Sequence, residues 1–74
     1  MKYEKEFWNL VEKSFTILGS KNAKEERTRL EKRNKNDKLI YHFEPIHLAS
    51  LALGIVDLTQ NQKDQYEKAK DDLW

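Results

Sequence analysis

The sequence predicts a mainly α-helical fold, a small bundle of three to four helices around a central apolar helix at residues 45–58. Two observations lead to this prediction. Apolar residues in 3–18 recur at the spacing of one helix face, and the run 45–58 is apolar around most of its circumference. A chain of 74 residues has the length of one domain, so residues 1–74 are expected to form a single small helical domain.

Residues 3–18 form the first predicted helix. Four apolar side chains share one of its faces at 3-4-3 spacing: Trp8, Val11, Phe15 and Leu18. Gly19 follows the last of them, and glycine is common as the residue that ends a helix in the left-handed conformation. The first interpretation of Trp8 is core packing, and contact with a partner is the second.

The middle of the chain allows two predictions. A capping-box pattern at Asn22 and Glu25, with the propensities of the residues that follow, favours a helix. In the alternative, a turn of Asn and Asp residues joins 27–33 to the β-branched and aromatic stretch 39–43. The fold would then be α+β with a β-hairpin at about 27–43, and both predictions stay open.

The central apolar helix is expected to begin at Pro45, whose fixed φ suits the first position of a helix. Ser50 and Gly54 form a pair of small residues one turn apart, which lets another element approach closely. With His47 and Asp57 they form a narrow strip of small and polar side chains on an otherwise apolar helix. Packing within the monomer is the first interpretation of this strip, and contact with another chain is the second.

A second capping-box pattern, Thr59 with Gln62, predicts a last helix after a tight turn. The apolar stripe of this helix includes Tyr66, and Trp74 lies beside its end. The stripe is narrow, so the helix needs a groove to lie in, either within the fold or on another molecule.

Residue types used in catalysis are present, but their spacing does not match known sites. His47, Ser50 and Asp57 are the types of a hydrolase triad, yet His47 and Asp57 on one helix lie about 15 Å apart along its axis. Glu44 and His47 have the i,i+3 spacing of a di-metal bundle, but no second such pair follows. Cysteine is absent, which excludes thiolate metal sites. We therefore expect no enzymatic activity, no cofactor and no small-molecule substrate.

The charge is nearly balanced, at +1, but it is unevenly distributed. Residues 21–38 carry eight basic and four acidic side chains, whereas 39–74 carry three basic and six acidic ones. The basic segment offers five side chains for phosphate contacts: Arg27, Arg29, Lys32, Arg33 and Lys35. Because its acids dilute the field, a solvated face is the first interpretation and nucleic-acid binding is the alternative.

Segment lengths and composition also predict the location of the protein. The longest apolar run spans about 21 Å as a helix, which is shorter than the ~30 Å hydrocarbon core, so no membrane span is expected. The first residues mix both signs of charge, unlike a secretion signal, and with the lack of cysteine this favours the cytoplasm. The excess of lysine over arginine and the frequent asparagine indicate a microbial or phage coding sequence.

A short chain with an apolar helix and several aromatic residues predicts an interaction protein. The expected function is a small non-enzymatic protein–protein interaction module that binds a larger partner or self-associates as an oligomer. By analogy with other small microbial proteins, it would act as a regulator or inhibitor. The side chains expected to contact the partner are Trp8, Tyr41, His47, Ser50, Gly54, Tyr66 and Trp74. A nucleic-acid-binding accessory protein that uses residues 21–38 is the alternative.

Overall fold

The computed structural model describes the backbone of residues 2–73 and the side chains of residues 4–72. In this part of the chain there are four α-helices and one 3₁₀-helix: α1 at Lys2–Ile17, α2 at Ala23–Arg33, the 3₁₀-helix at Lys38–His42, α3 at Pro45–Leu53 and α4 at Gln60–Leu73. No strand occurs among these residues. The predicted small helical bundle is confirmed, and the alternative with a β-hairpin at 27–43 is wrong.

The helix on which the others pack is α1, which contacts α2, α3 and α4. Its side chains Phe7, Leu10, Val11 and Phe15 are completely buried. Complete burial requires neighbours on more than one side, and three packed helices provide them. The structure thus places α1, rather than the apolar run at 45–58, at the centre of the bundle.

The third helix is shorter than predicted because Gly54 ends it. Gly54 has a φ of 73°, in the left-handed region. Its N–H donates to the carbonyl of Leu51 at 3.2 Å, and the N–H of Ile55 donates to the carbonyl of Ser50 at 2.9 Å, which together form a Schellman motif. The apolar pattern hides this break, because Ile55 and Leu58 beyond it are still packed against the core.

Gly19 ends α1 in the same way, and its predicted role is confirmed. It has a φ of 93° and donates its N–H to the carbonyl of Thr16 at 3.0 Å. The N–H of Ser20 donates to the carbonyl of Phe15 at 2.9 Å. The chain therefore reverses within a few residues, and α2 can pack back against α1.

The predicted starts of α3 and α4 are confirmed, whereas α2 begins without the side-chain cap that the sequence predicts. Pro45 is the first residue of α3. At α4 the N–H of Gln62 donates to Thr59 Oγ1 at 3.1 Å, and the N–H of Thr59 donates to Gln62 Oε1 at 2.9 Å, the reciprocal bonds of a capping box. The capping box predicted at Asn22 and Glu25 is wrong, because the side chain of Asn22 makes no cap hydrogen bond.

The role of Gly54 can be tested with two substitutions. A Cβ at this position would have no heavy atom within 4 Å, so only the backbone conformation opposes a side chain. We expect Gly54→Ala to lower the free energy of unfolding by about 1–2 kcal/mol, and Gly54→Asn to lower it less, because asparagine tolerates the left-handed region. Urea denaturation measures both changes. A larger loss for asparagine than for alanine would mean that close packing, and not the helix end, requires the glycine.

Candidate functional site

Three of the residues predicted to contact a partner are buried in the core, which agrees with the first interpretation of Trp8. Trp8, Ser50 and Tyr66 are 5%, 7% and 4% exposed. The Ser50 hydroxyl donates to the carbonyl of His47 at 2.9 Å, which satisfies it within its own helix. Core packing thus accounts for most of the surface of these side chains.

Tyr41 attaches the 3₁₀-helix to α1. Its hydroxyl accepts a hydrogen bond from Trp8 Nε1 at 3.1 Å, and its ring meets the ring of Phe7 edge-on, with centroids 4.9 Å apart. Aromatic pairs favour this arrangement, and it leaves Tyr41 half-buried. The contact joins residues 33 positions apart, so no local pattern in the sequence could reveal it.

The predicted strip of small and polar residues on α3 is not formed. His47 is exposed, whereas Ser50, three residues later, is buried. Gly54 is the exposed residue that ends α3, and Asp57 lies beyond the helix. The prediction that these residues share one strip is therefore wrong, and Trp74 lies outside the described residues.

The structure exposes large apolar side chains that the sequence pattern assigned to the interior. Leu51 is 73% exposed and Val56 is 93% exposed, on either side of Gly54. Ala52, between them in sequence, is exposed as well. We call Leu51, Ala52 and Val56 the α3 tip. The sequence pattern places Val56 on a continuous helix, whereas Gly54 ends that helix and leaves Val56 beyond it. Gly54, read as a helix end, is the signal in the sequence that could have revealed this group.

A polar cluster connects the start of α3 to α4. The Tyr66 hydroxyl donates to Glu44 Oε2 at 2.6 Å, and Lys70 Nζ lies 3.5 Å from Glu44 Oε1. Burial, and then the hydrogen bond to the Glu44 carboxylate, raise the pKa of Tyr66 above its ordinary value. A tyrosine whose pKa is raised keeps its proton at neutral pH. The cluster therefore holds two helices together and does not supply a base.

The second helix presents a basic face to solvent. None of its residues is buried, and Ala23 and Leu30 are its partly buried apolar contacts with the core. A shallow depression on its outer side is lined by Lys24, Glu25, Thr28, Arg29 and Lys32. Four of the five side chains predicted to contact nucleic acid are exposed: Arg29, Lys32, Arg33 and Lys35.

Arg27, the fifth of these side chains, is used inside the fold. Its Nε donates to Glu12 at 3.2 Å, and its Nη1 donates to Glu31 at 2.7 Å. The hydrogen bond with Glu31 raises the pKa of Arg27, and partial burial opposes this effect. Arg27 thus connects α2 to α1 and is not available to an external anion.

Comparison of the chain with protein-family models, with curated proteins and with solved structures gave no match. Between residues 2 and 73, no helix is both long enough and apolar enough to cross a bilayer. The same residues contain no group of three or more His, Asp or Glu side chains placed to hold a metal ion. Two exposed surfaces are the candidate binding sites, the α3 tip and the basic face of α2.

The contact between Tyr66 and Glu44 predicts a stability that depends on pH. We expect Tyr66→Phe to lower the free energy of unfolding at pH 7 by about 1–3 kcal/mol, because the bond to a charged carboxylate is lost. Because the pKa of Tyr66 is higher in the folded chain than in the unfolded one, its protonated hydroxyl stabilises the fold. This stabilisation is fully present below pH 10.0, the ordinary pKa of tyrosine, and is lost as the pH rises above that value. Urea denaturation should show the gap between wild type and variant narrowing above pH 10. A gap that is independent of pH would contradict this account.

Proposed function

We propose that this chain is a small protein-interaction module that binds a partner protein through the α3 tip. The observation that carries the proposal is the exposure of Leu51 and Val56, at 73% and 93%. Both belong to a segment whose other apolar side chains, such as Ile46 and Leu48, are buried against the core. Full burial of a leucine or valine side chain in an interface contributes about 1.5–3 kcal/mol, so these two can supply much of the energy of a moderate complex.

The neighbouring residues extend this surface along α3. His47 precedes Leu51 by four residues, and both are exposed, so they lie one turn apart on the same side of the helix. An apolar centre with a polar residue at its edge is the usual composition of an interface. The partner expected here is a protein with an apolar pocket that accepts Leu51 and Val56. Regulation or inhibition of a larger protein is the role that suits a chain of this size.

The proposal predicts that two substitutions together weaken binding without unfolding the chain. We expect Leu51→Asp with Val56→Asp to weaken partner binding at least about tenfold, because each places a charge in an apolar contact. Leu39→Asp is the matched control, since Leu39 is 68% exposed on the 3₁₀-helix and does not belong to the α3 tip. The purified chain and both variants serve as baits in lysate, and calorimetry with the purified candidate partner measures affinity.

The same variants separate binding of another protein from self-association. Sedimentation equilibrium of the purified chain shows whether a second copy occupies the α3 tip, in which case the double variant becomes monomeric and the Leu39→Asp control does not. If wild type is monomeric and all three proteins retain the same partners with equal affinity, the α3 tip is not the binding surface. Circular dichroism of each variant confirms that the helices remain folded.

A further inference from the structure

The positive charge of residues 21–38 remains at the surface of the folded chain. Three of the four acids in this segment are engaged locally, in the pairs Arg29–Glu26 at 3.4 Å and Arg27–Glu31 at 2.7 Å and in the bond from the Leu39 N–H to Asp37 at 3.0 Å. Among the described residues, six of the eight cations have no ion-pair partner: Lys21, Lys24, Lys32, Arg33, Lys35 and Lys38. The fold therefore leaves a cationic surface open to an anionic ligand.

The acidic part of the chain does not cover this surface. Within residues 4–72, the ion pairs made by α2 connect it to itself and to Glu12 of α1. None of them joins α2 to α4, the helix that carries most of the acids of residues 39–74. Ion pairs between α2 and α4 therefore do not hold the described part of the bundle together, and the acids of α4 do not neutralise the basic face of α2.

Both lysines of α2, Lys24 and Lys32, lie along one side of the helix. Lys24, Thr28 and Lys32 are spaced at i, i+4 and i+8, so they follow one side of α2. At 1.5 Å per residue, Lys24 and Lys32 are about 12 Å apart along the helix axis. Duplex DNA carries one negative charge per ~1.7 Å of its axis, so an extended row of cations meets several phosphates at once.

The composition of this face favours a duplex over a single strand. Residues 21–38 contain no aromatic side chain, and proteins that bind single strands stack bases on aromatic rings. The nearest aromatic residue in sequence, Tyr41, is packed with Trp8 and Phe7. Backbone contacts alone carry no base sequence information, so the expected binding is independent of sequence.

We propose that the basic face of α2, with Lys35 in the turn that follows it, binds the phosphate backbone of duplex nucleic acid. The contacts come from four cations that have no ion-pair partner among the described residues, Lys24, Lys32, Arg33 and Lys35, and from Arg29, whose side chain stays 66% exposed beside Glu26. This activity is additional to protein binding at the α3 tip and uses different side chains. It differs from the prediction made from the sequence at one position, because Arg27 connects α2 to α1 and Lys24 takes its place in the contact.

Fluorescence anisotropy of a labelled duplex about two helical turns long tests the proposal. With about four phosphate contacts, the affinity of the wild-type chain should fall roughly 100-fold between about 50 and 200 mM salt. We expect Lys24→Glu with Lys32→Glu to weaken binding at least about tenfold at the lower salt concentration and to reduce the salt slope by about 2. Duplexes of DNA and of RNA are compared, and tight binding of either supports the proposal.

The matched control changes the same charge at another place. Lys63→Glu with Lys68→Glu alters the net charge equally, and both lysines are exposed on α4. We expect this variant to keep most of the wild-type affinity. Lys24→Arg with Lys32→Arg should also bind, because it preserves the cations, and Leu51→Asn should leave duplex binding unchanged because it adds no charge at the α3 tip.

Four results would overturn the proposal. The first is no binding to either duplex at about 50 mM salt, where phosphate contacts are strong. The second is an equal loss of affinity in the α4 control, which would make net charge the cause. The third is tighter binding to a labelled single strand. The fourth is tighter binding to poly-glutamate of matched charge, which would assign the face to an acidic protein. Circular dichroism verifies that every variant is folded.

Discussion

The apolar face of α1 must be covered from three directions, and the rest of the structure depends on this requirement. Phe7, Leu10, Val11 and Phe15 are completely buried, and full burial of such side chains contributes about 1.5–3 kcal/mol each. A chain of 74 residues without cysteine has no disulfide to replace that contribution. Gly19 and Gly54 make this covering possible, because each ends a helix in the left-handed conformation and lets the chain turn back toward α1.

The covering helices are held to the bundle mainly along their inner sides, which leaves their outer sides for other molecules. On α2 the inner side consists of Ala23, Leu30 and the Arg27–Glu12 pair, so every other cation can point to solvent. On α4 the buried Tyr66 and its bond to Glu44 serve the same purpose. Both candidate surfaces thus follow from how α1 is covered. The basic face is the outer side of α2, whose inner side packs on the bundle, and the α3 tip is exposed because α3 is short.

Local signals in the sequence were sufficient for α1, for the start of α3 and for α4, but they left residues 27–43 open between a helix and a hairpin. Gly19, Pro45 and the Thr59–Gln62 box act on neighbouring backbone groups, so their roles can be predicted without the fold. The end of α3 was missed because apolar residues continue past it. For Trp8 and Tyr66 the sequence allows both core packing and partner contact, because large aromatic residues suit interfaces and cores equally. Which of the two they occupy depends on contacts between distant segments.

The α3 tip and the basic face of α2 meet at a common edge. A depression between the two helices is lined by Ala52 of the α3 tip and by Glu26, Arg29, Leu30 and Arg33 of α2. A ligand bound at either surface therefore changes the charge and the solvent exposure at the border of the other. If both proposed ligands bind, linkage requires that the factor by which nucleic acid changes the affinity for the protein equals the factor by which the protein changes the affinity for nucleic acid. Because Arg29 and Arg33 lie at this edge, an acidic partner surface would compete with phosphate for them, whereas an apolar partner surface would leave both arginines exposed to phosphate.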